Sequence, residues 1–401
     1  MARKRANGEG SIKQRKNGTW EGQYSLDGKR KSVYGKTQAE VKTKLRNILT
    51  EIENNTYSEQ GKMLFTDWLK EWLEVYAKPN VKPSTFDSYH GYVYKHIIPW
   101  FPKVAIKDLR ADTLQRFLND KLKSGRLDKI KNPETGKLET RPGGLSEKTI
   151  KNIYNMVHAA LKQAYINGIT QRNIADMVKP PKQKRKEIDV FTLEEQEKII
   201  RTVKGSHERL AFGITLALFT GIRAGELSGL KWEDIDFEKS EMKIRRTLNR
   251  VGSHDGVSKT KIVIGEPKSE RSKRTIPLQS FILAMLKQWK MRQIWEQKRA
   301  GELYNDDGYV LANEFGGYVE NRTYRDTYTK ILQEAEVRYL HFHCLRHTFA
   351  TRALEAGFDI KALSDILGHA DASTTLNRYG HALPDHKRAA MEKLNFLYKE
   401  A

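Results

Sequence analysis

The chain of 401 residues has little of several features that define other classes of protein. It has a single cysteine, Cys344, which excludes an intramolecular disulfide and fits a reducing compartment. Its longest strongly apolar run, Leu210 to Phe219, covers about ten residues, far fewer than a membrane-spanning helix needs. The basic N-terminus has no apolar stretch behind it, which argues against a secretory signal peptide. We therefore expect a cytoplasmic protein with no membrane partner.

Acidic residues are scarce relative to basic ones. Lys and Arg number 72 against 50 Asp and Glu, which gives a formal net charge of +22. This excess indicates a polyanionic partner, with nucleic acid as the first candidate and an acidic membrane surface as the second. The alternative is a protein that is merely basic. The length predicts two or three domains, because single cores stop growing at roughly 250–300 residues.

The first block, residues 1–58, predicts a small sheet with one helix. Asn17-Gly18 and Asp27-Gly28 are typical of tight hairpin turns, because both central residues of such turns need positive φ. The three predicted strands are Ser11–Arg15, Thr19–Leu26 and Lys31–Tyr34. The predicted helix carries the apolar repeat from Val41 to Ile52. A sheet of this size can lie in a DNA major groove. We expect its free face to be basic through Lys13, Arg15, Lys29 and Lys31; the alternative is a solvated basic face.

The second block, residues 62–180, has apolar residues at helical spacing throughout. The predicted helices begin near Phe65, at Pro83-Ser84, at Ala111 and at Ser146. The Gly- and Pro-containing stretch from Gly125 to Gly144 is predicted to be a loop. The block is therefore an all-helical domain, and no catalytic constellation is found in it.

A basic linker, residues 181–190, follows. Pro180-Pro181 cannot continue a helix. The positive charges that follow repel one another and keep the segment extended. Such a linker either crosses a nucleic-acid backbone or is only a solvated tether. The charged residues are Lys182, Lys184, Arg185 and Lys186.

The third block, residues 191–401, is predicted to be mostly helical with one small sheet. Thr192 and Glu195 have the spacing of a capping box. The apolar run from Leu210 to Phe219 predicts a buried helix, and Gly221 is typical of its end. Residues 235–277 favour strands, and helices are predicted from Thr323 onward. The expected fold class is thus a multidomain, mainly α protein with small β-sheets.

Four stretches of the third block carry residues capable of chemistry. Arg223 follows a buried helix, where an arginine is costly without a partner, and Glu226 lies close enough in sequence to orient it. Lys268 lies near a predicted hairpin tip. His369 and Tyr379 lie ten residues apart near the end of the chain. Each of these signals taken alone also fits a structural role.

The fourth stretch places two histidines and an arginine on one helix face. His343, Arg346 and His347 have the spacing i, i+3 and i+4. Two histidines four apart can ligate zinc, but a neighbouring arginine repels a cation, so metal binding is the poorer interpretation.

Together these side chains suit phosphoryl transfer. Two arginines can bind phosphate oxygens in a bidentate manner, and histidines move protons near neutral pH. Lysine can protonate a leaving oxygen. A tyrosine between guanidinium groups is expected to ionise more easily than in water, and its phenolate can attack a phosphodiester to form a covalent phosphotyrosine. A cluster of carboxylates for a two-metal site is missing from these stretches.

The stretches TGIRAGEL, PKSERSKRTIPL, HCLRHTFAT and LGHADASTTLNRY resemble, in order and kind, the motifs of tyrosine recombinases, the family of lambda-type phage integrases. The resemblance covers roughly residues 190–395. The second block looks like the core-binding domain that precedes a catalytic domain. The first block resembles the arm-type DNA-binding domain of integrases from phages and conjugative transposons.

This resemblance implies a role for each residue. Arg223 and Arg346 would hold the scissile phosphate, and Tyr379 would be the nucleophile that takes the 3′ phosphate. Lys268 would be the general acid for the leaving 5′ oxygen. His343 would assist as a general acid or base, and His369 would orient the phosphate or share in proton transfer. Glu226 and His347 would support these residues from behind.

The resemblance also implies site-specific recombination without metal, ATP or other cofactor. The implied assembly is a homotetramer on two duplexes of double-stranded DNA, engaging core sites and arm sites, with an accessory DNA-bending or excision factor as a further partner. A C-terminal helix from Asp385 to Tyr398 would dock on its own or a neighbouring subunit. The rival functions are a type IB topoisomerase-like relaxing enzyme, a non-catalytic DNA-binding regulator and a metal-dependent nuclease.

Overall fold

The computed structural model describes residues 10–26, 28–53, 63–131, 138–183, 188–265, 273–369, 371–380 and 391–392. The chain divides into two compact units, Met1–Lys184 and Arg185–Ala401. Lys182 is exposed. In the described part of the chain, no helix is long and apolar enough to cross a membrane. Several predictions fall on residues that the structure does not describe: Lys184, Arg185, Lys186 and Lys268. The predicted helix from Asp385 to Tyr398 also lies outside the described residues, apart from Met391 and Glu392.

The first unit begins with the predicted three-stranded sheet and helix. The strands β1 (Ser11–Gln14), β2 (Trp20–Leu26) and β3 (Lys29–Gly35) are antiparallel in the order β1-β2-β3, and α1 (Gln38–Glu53) follows. Buried Tyr24, Val41 and Leu45 form the small core between sheet and helix.

The register corrects the prediction that Lys13, Arg15, Lys29 and Lys31 all share the free face. Lys13 lies opposite Glu21, and Arg15 donates a 3.0 Å hydrogen bond to Glu21. Lys31 lies opposite Tyr24 and Lys29 opposite Leu26. Since side chains alternate along a strand, these two lysines lie on the face that carries α1, and that part of the prediction is wrong.

The rest of this unit is the predicted helical domain. Its helices are α2 (Phe65–Trp72), α3 (Pro83–Tyr92), α4 (Ala111–Ser124) and α5 (Glu147–Ile166). Trp68, wholly buried, donates its indole N–H to the backbone oxygen of Ala160 in α5 at 2.9 Å, which ties the first helix to the last. The helix predicted to begin at Ser146 is present as α5, and Ser146 caps it by accepting from the backbone N–H of Thr149.

The stretch from Gly125 to Gly144 was predicted to be a loop, and that prediction is wrong in part. It contains a two-stranded antiparallel hairpin of β4 (Lys129–Lys131) and β5 (Leu138–Thr140). Each strand has three residues, and β5 is exposed throughout. Strands of three residues are too short to show the apolar alternation that reveals a strand in sequence, so backbone pairing alone defines them.

The second unit is mostly helical. Its helices are α6 (Leu193–Gly205), α7 (Phe212–Thr220), α8 (Ala224–Ser228), α9 (Ser280–Ala300), α10 (Asn321–Glu334), α11 (His343–Glu355), α12 (Ile360–Leu367) and α13 (Ala372–Tyr379). Its strands are β6 (Ile235–Asp236), β7 (Glu241–Ile244), β8 (Thr247–Gly252), β9 (Thr260–Gly265) and β10 (Arg274–Pro277). They form one sheet in the order β10-β7-β6 and one hairpin of β8 and β9.

Local signals in this unit are confirmed. Both bonds of the capping box between Thr192 and Glu195 are present at the start of α6. The helix α7 is almost entirely buried, and Gly221 ends it with a φ of 63°. The core around α7 positions the residues that follow Gly221 and those of α11, which packs beside it.

Candidate active site

Arg223 lies directly before α8, at the turn that ends α7. Its Nη1 donates a 2.6 Å hydrogen bond to Oε1 of Glu226, and its Nη2 donates one of 3.3 Å to the backbone oxygen of Gly368. The Arg223 side chain remains 33% exposed, whereas that of Glu226 is 1% exposed. The contact expected between the two residues is present, and the guanidinium keeps access to solvent.

A third arginine, Arg274, received no role in the sequence reasoning. Its Nη1 and Nη2 donate to the two carboxylate oxygens of Glu226 at 3.1 and 2.9 Å, and its Nε donates to the backbone oxygen of Ile366. Its side chain is 4% exposed. Arg274 and buried Ile276 are two positions apart in β10 and share the inner face, so strand alternation is the signal that finds Arg274.

The Glu226 carboxylate is ionised although it is buried. Burial raises its pKa, but the hydrogen bond and charge of Arg274, followed by the charge of Arg223, outweigh burial and lower the pKa to about 2. One buried anion therefore holds two guanidinium groups side by side.

Arg346 approaches the same place from α11 and is 2% exposed. Its Nη1 donates to the backbone oxygen of Gly221 at 2.8 Å, and its Nη2 donates to that of Leu367. Burial, and then the charges of Arg223 and Arg274, lower its pKa to about 9, so the side chain is still a cation at neutral pH. Because carbonyl oxygens rather than a carboxylate hold it, its positive charge stays available to an anion.

Two glycines make this arrangement possible. Gly221 and Gly368 each end a helix with a φ of 63°. A Cβ on Gly221 would lie 2.6 Å from Cδ1 of Phe349, and one on Gly368 would lie 2.9 Å from Cδ of Arg274. Only glycine combines the left-handed backbone with these close approaches.

Three histidines surround the arginines. His343 and His347 lie one turn apart on α11, with their rings edge-to-face at 4.6 Å. His369 follows Gly368, and its Nδ1 lies 2.8 Å from Oγ1 of buried Thr375. Desolvation by the surrounding protein, followed by nearby positive charges, lowers the pKa to about 4 for His343 and to about 3 for His347 and His369. All three rings are therefore neutral at neutral pH.

Tyr379 completes the group from the last position of α13. Its side chain is wholly buried in an apolar cluster that includes Ala350, Leu363 and Leu367. Its hydroxyl lies 2.6 Å from Nδ1 of His347. The phenol thus reaches the histidine and arginine cluster within its own subunit.

The expectation that this phenol ionises more easily than in water is wrong for this arrangement. Burial raises the pKa of Tyr379 by more than the charges of Arg346 and Arg378 lower it. The phenol is therefore protonated at neutral pH, and attack requires a proton acceptor.

Two further predictions concern Lys268 and metal ions. Lys268 lies outside the described residues, which resume at Lys273 in the strand segment leading to Arg274. Among the residues that the structure describes, no three His, Cys, Asp or Glu side chains gather in a way that could hold a metal ion.

Comparison with known proteins identifies the family of the chain. Residues 189–386 match the phage integrase family, and residues 64–122 match the N-terminal SAM-like domain of phage integrases. A tyrosine recombinase XerC-like protein of Caldanaerobacter subterraneus is 34% identical over 384 residues, covering 92% of each chain. The chain belongs to the tyrosine recombinase family, in its phage integrase branch. It is accordingly a DNA strand-cleaving and rejoining enzyme.

The fold of this tyrosine recombinase is also that of solved integrases. The Tn1549 transposon integrase in complex with transposon right end DNA superposes with a TM-score of 0.64 at 23% identity, covering 83% of this chain and 99% of that one. A lambda integrase tetramer bound to a Holliday junction gives 0.52 at 17% identity, with coverage of 90% and 96%. Both comparisons support a helical domain followed by a mixed catalytic domain.

Proposed function

We propose that this recombinase integrates and excises a mobile element through a 3′-phosphotyrosyl intermediate. The observation that carries the proposal is the convergence, within one subunit, of Tyr379 with Arg223, Arg346 and three histidines. Recombination follows from strand cleavage when the stored phosphotyrosine bond is resealed to a different DNA strand, which needs neither ATP nor a metal.

Each side chain has a part in that reaction. Arg223 and Arg346 bind the scissile phosphate and stabilise the charge that builds on its oxygens. Tyr379 attacks phosphorus, and Lys268 protonates the leaving 5′ oxygen. His369, oriented by its bond to Thr375, contacts the phosphate. His343 assists proton transfer from the start of α11.

Glu226 and Arg274 act by positioning. The Glu226 carboxylate joins Arg223 to Arg274. Arg274 also donates a hydrogen bond to the backbone oxygen of Ile366, in the turn before His369. This network therefore connects a phosphate-binding arginine to the turn that carries His369. It also extends to the strand that follows Lys268 in sequence.

The remaining parts of the chain serve DNA binding in this proposal. Residues 1–58 form an arm-type domain, residues 62–180 a core-binding domain and residues 181–190 a basic linker, followed by a catalytic domain over 191–401. A charge of +22 favours wrapping around DNA. The lambda integrase tetramer on a Holliday junction suggests the same assembly here. We further propose that the enzyme works in the cytoplasm, with accessory DNA-bending or excision factors.

A suicide duplex with a nick beside the cleavage site tests the central step. Loss of the short fragment after cleavage traps the covalent complex, which migrates as a protein–DNA band on a denaturing gel. We expect the band with the native enzyme and none with Tyr379→Phe, although that variant should still bind DNA. A band of equal strength with Tyr379→Phe would show that another residue is the nucleophile.

The same preparation separates recombination from simple relaxation. A type IB topoisomerase-like enzyme relaxes any supercoiled plasmid, whereas a site-specific recombinase needs its own recombination site. We expect covalent complexes on plasmids that carry the site and none on matched plasmids that lack it. Site-independent relaxation would support the topoisomerase-like alternative.

A further inference from the structure

The nucleophile proposed above is hydrogen-bonded to a histidine that has no chemical step in that mechanism. Nδ1 of His347 lies 2.6 Å from the hydroxyl of Tyr379. We propose that His347 is the base that accepts the phenolic proton when Tyr379 attacks the scissile phosphate. This inference rests on the proposed function, because it requires Tyr379 to be the nucleophile.

The direction of the hydrogen bond suits proton transfer. Burial raises the pKa of the Tyr379 phenol, so the hydroxyl keeps its proton and needs an acceptor for it within the protein. The ring of His347 is neutral, and we assign it the tautomer in which Nδ1 accepts the proton that the phenolic oxygen donates. This leaves Nδ1 unprotonated, as a base requires, with the other ring nitrogen carrying the hydrogen of the neutral imidazole.

Other groups are poorly placed for this task. The Tyr379 side chain is wholly buried, so bulk water has no access to its hydroxyl. The Glu226 carboxylate has both of its oxygens engaged by Arg223 and Arg274. In the part of the chain that the structure describes, the Tyr379 hydroxyl is hydrogen-bonded to His347.

The surroundings make the basicity of His347 depend on substrate. Burial lowers its pKa most, and His343 on its own helix, Arg346, Arg378 on α13 and His369 lower it further, to about 3. A phosphate placed between the arginines adds negative charge, which offsets theirs and raises the pKa of His347. The base is therefore weak until the scissile phosphate is in position, which discourages proton loss from Tyr379 at the wrong time.

The complete step balances. The phenolic proton of Tyr379 moves to Nδ1 of His347 as the phenolic oxygen forms its bond to phosphorus. The bond from phosphorus to the 5′ oxygen breaks with its electron pair on oxygen, which takes a proton from the acid assigned above to Lys268. In rejoining, the incoming 5′ hydroxyl gives its proton back to the neutral amine of Lys268 as its oxygen bonds to phosphorus, and His347 returns its own proton to the departing phenolic oxygen.

The test compares single-turnover covalent-complex formation on the suicide duplex at saturating enzyme. His347→Asn places an amide oxygen near the position of Nδ1, so it can accept the hydrogen bond but cannot take the proton. We expect it to react at least a hundredfold more slowly, as for the loss of a general base.

The rate of His347→Asn should keep rising with pH where the native rate levels off. Added imidazole should accelerate His347→Ala. His207→Asn, the same change at an exposed site of the same unit, serves as the control.

A second substrate separates base from acid. A duplex with sulfur in place of the leaving 5′ oxygen does not need protonation of the leaving group, so it should restore a Lys268→Ala variant but not His347→Asn. Circular dichroism and DNA binding confirm that each variant is folded.

The outcomes distinguish the two proposals. If the native enzyme forms no covalent complex, the proposed function itself fails. If the native enzyme reacts and His347→Asn matches its rate, or is slower with an unchanged pH profile, His347 is not the base. Restoration of His347→Asn by the sulfur substrate would also overturn the inference, because His347 would then act on the leaving group.

Discussion

The buried Glu226 carboxylate offers a quantitative test of how the active site is held together. Replacement by glutamine keeps the size of the side chain and removes its charge, so Arg274 and Arg223 lose their shared anion. A pKa lowered from 4.5 to about 2 corresponds to roughly 3 kcal/mol in favour of the ionised folded state. We expect Glu226→Gln to lower the free energy of unfolding by about that amount at neutral pH.

The sign of the pH dependence follows from the direction of the pKa change. The folded-state pKa is below the unfolded one, so the stabilisation is complete above about pH 4.5 and is lost as the pH falls towards 2. Protonated Glu226 and glutamine then make similar contacts. The stability difference between the native enzyme and Glu226→Gln should therefore shrink steadily across this window.

Urea denaturation followed by circular dichroism at several pH values measures this difference. Glu233→Gln is the matched control, because the Glu233 side chain is 61% exposed while it pairs with Arg246. We expect less than about 1 kcal/mol for that control at every pH. A difference for Glu226→Gln that stays constant from pH 7 to pH 2 would refute the reasoning, since steric or packing effects do not titrate.

Four further predictions concern the active site, DNA binding and metal dependence. Gly368→Ala should lower the free energy of unfolding by about 1–2 kcal/mol and reduce cleavage, because its Cβ meets Arg274. Gly357→Ala also has a positive φ but open space around it, so it should leave cleavage unchanged. Thermal unfolding and the suicide-duplex assay compare the two variants. Thr375→Val removes the partner of His369 and should slow covalent-complex formation roughly tenfold without weakening DNA binding. DNA affinity should fall roughly a thousandfold between 50 and 200 mM salt in a filter-binding assay, and a flat dependence would contradict the charge argument. Cleavage should persist in EDTA, and its abolition would favour a metal-dependent nuclease.

Much of the local structure could be predicted because it depends on neighbours in sequence. The helical spacing of His343, Arg346 and His347 predicted one shared helix face, and α11 begins at His343. The capping box at Thr192 and the left-handed turn at Gly221 needed only local backbone chemistry. The pairing of β4 with β5 could not be predicted, because strands of three residues carry no clear pattern.

The chemical groups of the proposed active site came from the sequence alone: three histidines, two arginines, a lysine and a tyrosine in motifs of a known family, on a strongly basic chain. Only the tertiary structure decided how those groups behave. It brought Arg274 to Glu226 across 48 positions and buried Tyr379 against His347 across 32 positions. Burial and long-range charge pairing set the protonation states of these side chains, and both depend on residues that are distant in sequence. That is why the sequence predicted an easily ionised phenol and the folded chain has a protonated one, hydrogen-bonded to a histidine.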